Sequence, residues 1–246
     1  MANQVDPRLA SVRPTVDASA GYDEGLRAHM LSVYNYMASG VLLTGVVAVL
    51  FAIGATPQES LAGRIFMQPG FLKYVVMFAP LGLVMWLSFG INKLSESAAK
   101  AIFWVYAAMM GASLSTIFLA YTGASVANTF FATAAGFAGL SLYGYTTKRD
   151  LSGFGKFLIM GLVGLIVASV VNIFTKSSAA DLMISVLGVF IFAGLTVYDT
   201  QKIKNMYFEV QGSDFQGKAV VMGALTLYLD FINLFLMLLR FMGDRR

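Results

Sequence analysis

The chain has 246 residues, 58% of them hydrophobic and 12% charged, with a net charge of +4 and a mean hydropathy of +0.73. Soluble domains carry about 25% charged residues, so this composition belongs in a bilayer. Cysteine is absent and His29 is the sole histidine, which excludes disulfides, thiol nucleophiles, a His-rich metal site and a Ser/His pair at membrane depth; the basic excess reports topology rather than nucleic acid.

Residues 1–29 carry Asp6, Arg8, Arg13, Asp17, Asp23, Glu24 and Arg27 with Pro7 and Pro14, and lack the apolar run of a signal peptide. They read as a disordered cytoplasmic tail, leaving 30–246 as one transmembrane domain. A membrane span needs about 20 apolar residues. Seven stretches qualify, at about 30–55, 71–91, 101–121, 126–146, 157–175, 182–200 and 219–241. Lipid leaves only helices or closed barrels, and continuous apolar runs without alternation decide for an all-α bundle of seven transmembrane helices.

With the N-terminus inside, eleven Lys and Arg fall on the cytoplasmic side, among them Lys93, Lys100, Lys148, Arg149, Lys202 and Lys204. Six fall outside, including Arg240, Arg245 and Arg246 if the last span crosses fully. The bias favours N-in. The basic C-terminus fits awkwardly and would return inside if the last span were re-entrant, but Ala219–Leu239 is long enough to cross.

Along the chain, Pro80 predicts a kink in the second span. The small-xxx-small spacings Ala132/Gly136 and Ala135/Gly139, with Gly161 and Gly164 in the next span, predict close helix packing within the bundle. Asn35, Ser113, Ser115, Asn128, Ser141 and Asn172 read as interhelical hydrogen-bonding residues. The segment Gly111-Ala-Ser113 lacks the base that an intramembrane serine protease requires, and the last span lacks the lysine of a retinal protein.

The two acids of the last two spans are the informative residues. Asp199 closes the sixth span, at its cytoplasmic end, and Asp230 lies eleven residues past Ala219, about 16 Å along a helix and close to the midplane. A carboxylate at that depth costs roughly 2.5–3.5 kcal/mol on insertion scales. Thr226 and Asn233 fall on the same face as Asp230 and complete a polar stripe. Two carboxyls brought together cannot both ionise cheaply, so they should share a proton and titrate as a unit. Loss of that proton would push the helices apart or recruit a cation such as Ca²⁺, whose ligands are oxygens.

The segments Tyr106-Ala-Ala-Met-Met-Gly-Ala-Ser-Leu-Ser-Thr-Ile-Phe118, Ser141-Leu-Tyr-Gly-Tyr-Thr-Thr-Lys-Arg-Asp-Leu-Ser-Gly-Phe-Gly155, Gly194-Leu-Thr-Val-Tyr-Asp-Thr-Gln-Lys202 and Gly223-Ala-Leu-Thr-Leu-Tyr-Leu-Asp-Phe-Ile-Asn-Leu-Phe235 resemble the Bax inhibitor-1 (TMBIM) family, in its bacterial YccA-like branch. The resemblance implies a seven-helix bundle with the last helix central. It also implies a paired-aspartate pH sensor, falling on Asp199 and Asp230, and a proton-sensitive Ca²⁺ leak. Some members pair the sensor with an arginine on the second helix. This sequence has none there, and Lys93 at the end of that helix is the nearest cation, a candidate latch.

The expected function is therefore a pH-sensitive calcium (cation) leak channel in the bacterial inner membrane, with no enzymatic activity and no cofactor. Its expected partners are the lipid bilayer, protons and Ca²⁺, the ion held by Asp199 and Asp230. The alternative is a non-conducting stress modulator that binds a membrane protease or another membrane protein through the tail 1–29. A proton-coupled carrier is the third reading.

Overall fold

The computed structural model describes residues 14–54 and 58–245, with side chains from residue 24 onward. Nine helices are found among them: α1 (Pro14–Ala52), α2 (Leu61–Phe66), α3 (Leu72–Gly90), α4 (Glu96–Leu114), α5 (Ile117–Ala120), α6 (Gly123–Thr146), α7 (Ser152–Thr175), α8 (Ser178–Val210) and α9 (Gln216–Met242). Seven of them supply stretches long and apolar enough to cross a membrane, starting with Glu24–Ala52 and with α5 completing the α4 span. Hydroxyl caps set several helix starts: Ser95 Oγ, Thr122 Oγ1 and Ser177 Oγ accept the amides of Ala98, Ser125 and Ala180, satisfying donors that lie before the first helical turn closes. Pro80 is accommodated inside an unbroken α3.

Helix α1 begins well inside the segment expected to be a disordered tail. Residues 14–29 are helical, and Met1–Arg13 lie outside the described residues. Pro14 occupies the first helical position, where its missing N–H costs nothing. Leu26, Met30, Val33 and Met37 continue one apolar face and are buried, which explains why the helix starts before the hydropathy rises.

Helix α9 is the axis of the bundle. In its most apolar window 67% of the residues are buried, against 11% for α7, although α7 is the more hydrophobic. It packs against α1, α4, α6 and α8, while α3 leans on α4 and α7 on α8. Apolar surface gains little by leaving lipid for protein, so position follows from shape and hydrogen bonding rather than oiliness. Phe103, Tyr106 and Phe137 meet α9 edge-to-face: Tyr228 lies 6.1 Å from Phe103 and 5.4 Å from Tyr106, and Phe231 lies 5.5 Å from Phe137.

The close helix approaches are not where the small-xxx-small spacings put them. Ala132, Ala135, Gly136 and Gly139 are exposed, and a Cβ at Gly136 or Gly139 would meet nothing within 4 Å. The inward face of α6 instead carries Ser125, Thr129, Thr133, Phe137 and Ser141. Ser125 and Ser141 bond to the Asp244 amide and to Thr200 outside α6, partners that lipid cannot supply, so they outrank small size in setting the rotation of α6. Backbones do touch at Gly111 and Gly144: a Cβ at Gly111 would lie 2.6 Å from the Thr44 carbonyl oxygen, and one at Gly144 would collide with the Val197 carbonyl.

Seven alternating crossings give the bundle an amino face, where α1 enters and the α3–α4, α6–α7 and α8–α9 connections lie, and a carboxyl face. The last span crosses fully. Beyond it, the Thr122 amide donates to the Asp244 carbonyl (3.1 Å) and the Asp244 amide to Ser125 Oγ (2.9 Å). Arg240 and Arg245 both pair with Asp181 at the start of α8, at 3.4 and 3.5 Å. The basic end that weighed against a full crossing is thus partly neutralised on the carboxyl face; Arg246 lies outside the described residues.

Candidate functional site

Helices α8 and α9 form an antiparallel hairpin and bring Asp199 and Asp230 together. Side chains lean toward the N-terminus of their own helix. Asp199 therefore leans into the membrane, and Asp230 leans toward the amino face to meet it. Their carboxyls lie close enough to interact directly. Both are buried, at 9% and 5% exposure, so little water is available to either charge. An ionised carboxylate only accepts, so a hydrogen bond between the two needs one proton held in common. Asp230 Oδ2 is buried without a hydrogen-bond partner among the described residues.

Neighbouring hydroxyls are committed elsewhere. Thr200 Oγ1 donates to the Thr196 carbonyl (2.7 Å) and accepts from Ser141 Oγ (3.0 Å), which ties α6 to α8. Thr226 Oγ1 and Asn233 Nδ2 donate to their own helix, to the carbonyls of Met222 (3.0 Å) and Leu229 (2.8 Å). Both are half-buried on the α9 face that carries Asp230, but their hydrogen bonds do not go to the acid pair.

Lys93 is exposed in the turn after α3, its amide bonded to the Gly90 carbonyl. The cation whose charge reaches both acids is Lys202, three residues past Asp199 and exposed at the amino face. The sequence shows Lys202 only as one basic residue among many, because its relation to Asp230 arises through the hairpin.

Beside the pair, Gln201 grips the α6–α7 loop through both ends of its amide. Its Nε2 donates to the Arg149 carbonyl (2.7 Å) and its Oε1 accepts the Leu151 amide (3.0 Å). Lys204 Nζ donates to the Tyr145 carbonyl (2.8 Å). Within the loop, hydrogen bonds from the Ser152 hydroxyl and then its amide hold the exposed Asp150 carboxyl below its ordinary range. A polar cavity of about 250 Å³ opens between α8 and the start of α7, lined by Ser152, Tyr198, Gln201, Lys202, Asn205 and Glu209 among others. Its lining brackets Asp199 in sequence, with Tyr198 just before it and Gln201 and Lys202 shortly after.

On the α1–α4 side of α9 a second polar cluster joins α1, α4 and α9. Thr44 Oγ1 donates to the Ala107 carbonyl (2.8 Å), so the Tyr228 hydroxyl, 2.7 Å away, is the donor to Thr44. The Tyr106 hydroxyl is buried without a hydrogen-bond partner. His29 is buried against the Tyr207 ring at 5.3 Å, with neither ring nitrogen hydrogen-bonded.

No group of three or more His, Cys, Asp or Glu able to hold a metal occurs among the described residues. Two aspartates supply at most four oxygens, whereas Ca²⁺ takes six to eight. The pair therefore suits an ion that keeps much of its water, as a passing ion does, better than a caged one.

The family model described as "Inhibitor of apoptosis-promoting Bax1" matches residues 26–246. The chain is 49% identical over 233 residues to RP147 of Rickettsia prowazekii, covering 94% of this chain and 96% of that protein. It is 47% identical over 236 residues to the inner membrane protein YbhL of Escherichia coli, covering 95% and 98%. A protein of Caulobacter vibrioides is 47% identical over 242 residues, covering 95% of each chain.

Proposed function

Because the chain belongs to the Bax inhibitor-1 family of integral membrane proteins, we propose that it is a pH-sensitive cation leak of the bacterial inner membrane, with Ca²⁺ as the permeant ion and Asp199–Asp230 as its sensor. One observation carries this reading: two buried aspartates face each other on the central helix hairpin, and Asp230 Oδ2 has no hydrogen-bond partner among the described residues. A structural role alone would be better served by an acid paired with a cation or an amide, since a buried carboxylate pair is costly and a half-satisfied one more so.

The proton held between the carboxyls ties α8 to α9. When it leaves, two like charges face each other in a poorly hydrated site, and their repulsion weakens the contact or draws in a cation. Lys202 favours the ionised state from the amino face, and the polar cavity beside Tyr198 supplies water and oxygen ligands to an arriving ion. Gln201 holds the α6–α7 loop against this entrance and limits how far α8 can swing. Beside the acids, the Tyr228–Thr44–Ala107 chain of hydrogen bonds, with Tyr106 and Phe103 around it, ties α9 to α1 and α4 and closes the bundle there. Conduction requires that seal to loosen as the hairpin shifts.

The test is Ca²⁺ uptake into liposomes carrying the purified protein, between about pH 5 and pH 8. The proposal expects flux with a pH response that Asp230→Asn flattens. A folded protein with no flux at any pH would overturn the channel reading. Flux whose pH profile is identical in Asp230→Asn would overturn the sensor.

A further inference from the structure

Helices α1 and α6 both pack on α9, yet a groove separates them. Its larger part, about 760 Å³, runs from Arg27 and Tyr145 at the amino face inward to Val41 and Phe231. Past Val41, Leu42, Phe130 and Phe231 it continues into a second part of about 600 Å³ that reaches toward the carboxyl face. Phe231, the residue after Asp230, lies in the lining of both.

The walls are hydrocarbon, and small residues make the room: Ala38 on α1, Ala134 and Ala138 on α6. Arg27 is the one charged residue that lines either part. It is exposed and forms no ion pair among the described residues. Lys204, which lies 5.3 Å from the Tyr145 ring, adds a second cation beside the mouth, and no carboxylate lines it. The groove is therefore oily along its length and cationic at one end.

Its length fits one leaflet. Arg27 and Val41 are separated by fourteen residues of α1, about 21 Å at 1.5 Å per residue. Half of a hydrocarbon core of about 30 Å, plus one headgroup layer of about 5–8 Å, gives nearly the same depth. Tyr145 sits near the mouth, as amphipathic rings do at a membrane interface.

We propose that the α1–α6 groove is a binding site for an anionic phospholipid of the amino-face leaflet. Its headgroup phosphate is held by Arg27 with Lys204 nearby, and an acyl chain runs between Ala38 and Ala138 to Phe231. A partner helix would find the polar residues of α6 turned inward and would leave Arg27 without a counter-charge. An anionic lipid satisfies both ends of the groove. The site does not depend on whether the protein conducts, although a chain seated on Phe231 would touch the helix that carries Asp230.

Native mass spectrometry of the full-length protein in detergent, with equal amounts of palmitoyl-oleoyl phosphatidylglycerol and phosphatidylcholine, tests the site directly. Wild type should retain phosphatidylglycerol in preference by about five-fold, the discrimination expected of one well-placed cation. Arg27→Ala should bring the ratio close to one. Ala138→Trp, which plugs the groove from an exposed position, should lower retention of both lipids several-fold, and Ala38→Trp on the facing wall should repeat the effect if either variant melts early. No preference in wild type, a preference that survives Arg27→Ala, retention that ignores both tryptophans, or a protein dimer in place of the lipid adduct would each overturn the proposal.

Discussion

Asp181 and Asp199 lie on the same helix, eighteen residues apart, which is five turns of α8 and so nearly the same face. Asp181, at the carboxyl face, is partly exposed and shared between Arg240 and Arg245. Asp199, near the amino face, is buried and meets another acid. One end of the α8–α9 hairpin is fastened by opposite charges partly in water; at the other, two acids meet away from it, where we propose that a proton joins them. The same side chain thus serves as a fastener or as a switch, according to its partner and its solvation. If the proposed proton latch holds, a hairpin pinned at one end and latched at the other opens at its amino-face end.

That contrast can be broken from either side. The largest effect is expected at the latch: Asp230→Asn keeps a hydrogen bond to Asp199 without a shared proton, so a flux ratio across pH 5–8 of about tenfold or more should fall to within about twofold. Liposome Ca²⁺ uptake measures it. Lys202→Gln removes a positive charge from the amino-face side of the pair, so the midpoint of the pH response should shift while its amplitude stays. Gln201→Leu frees the α6–α7 loop, and hydrogen exchange at the Leu151 amide should quicken by about tenfold for two lost hydrogen bonds. Tyr228→Phe removes the donor to Thr44 and should cost about 0.6 kcal/mol, with an upper range near 1.7, read as a drop in thermal midpoint. Asp181→Asn is expected to be smallest, up to about 1 kcal/mol and fading with salt, because the pair is exposed. Its flux profile should be that of wild type; a changed pH response there would mean that both ends of the hairpin take part in sensing.

Much of this was legible in the sequence, for identifiable reasons. The seven spans follow from apolar length, although Glu24–Ala52, Glu96–Ala120 and Ser178–Val210 begin earlier, or in α8 end later, than the hydropathy suggests. Caps and first turns such as Ser95-Glu96 are polar yet helical, and the α8 segment Gln201–Val210 continues past the apolar run. Asp199 and Asp230 stood out because acids at such depth are costly, and the hairpin connection let two distant positions meet. Gln201 and Lys202 did not stand out, since a glutamine and a lysine at a helix end look solvated until the loop at Arg149–Leu151 and the facing Asp230 are in place. The α6 stripe misled because small size permits close packing without requiring it, whereas Ser125 and Ser141 bond to groups outside α6, the Asp244 amide and Thr200.

The most direct test of the shared proton is a double-mutant cycle on the pH midpoint and amplitude of Ca²⁺ flux, comparing Asp199→Asn, Asp230→Asn and the doubly substituted protein with wild type. Two groups titrating as one unit are grossly non-additive: each single substitution should remove nearly all of the pH response, and the double substitution should add almost nothing. Two partial losses that sum in the double variant would show that the acids titrate independently, and would contradict a latch made of one proton.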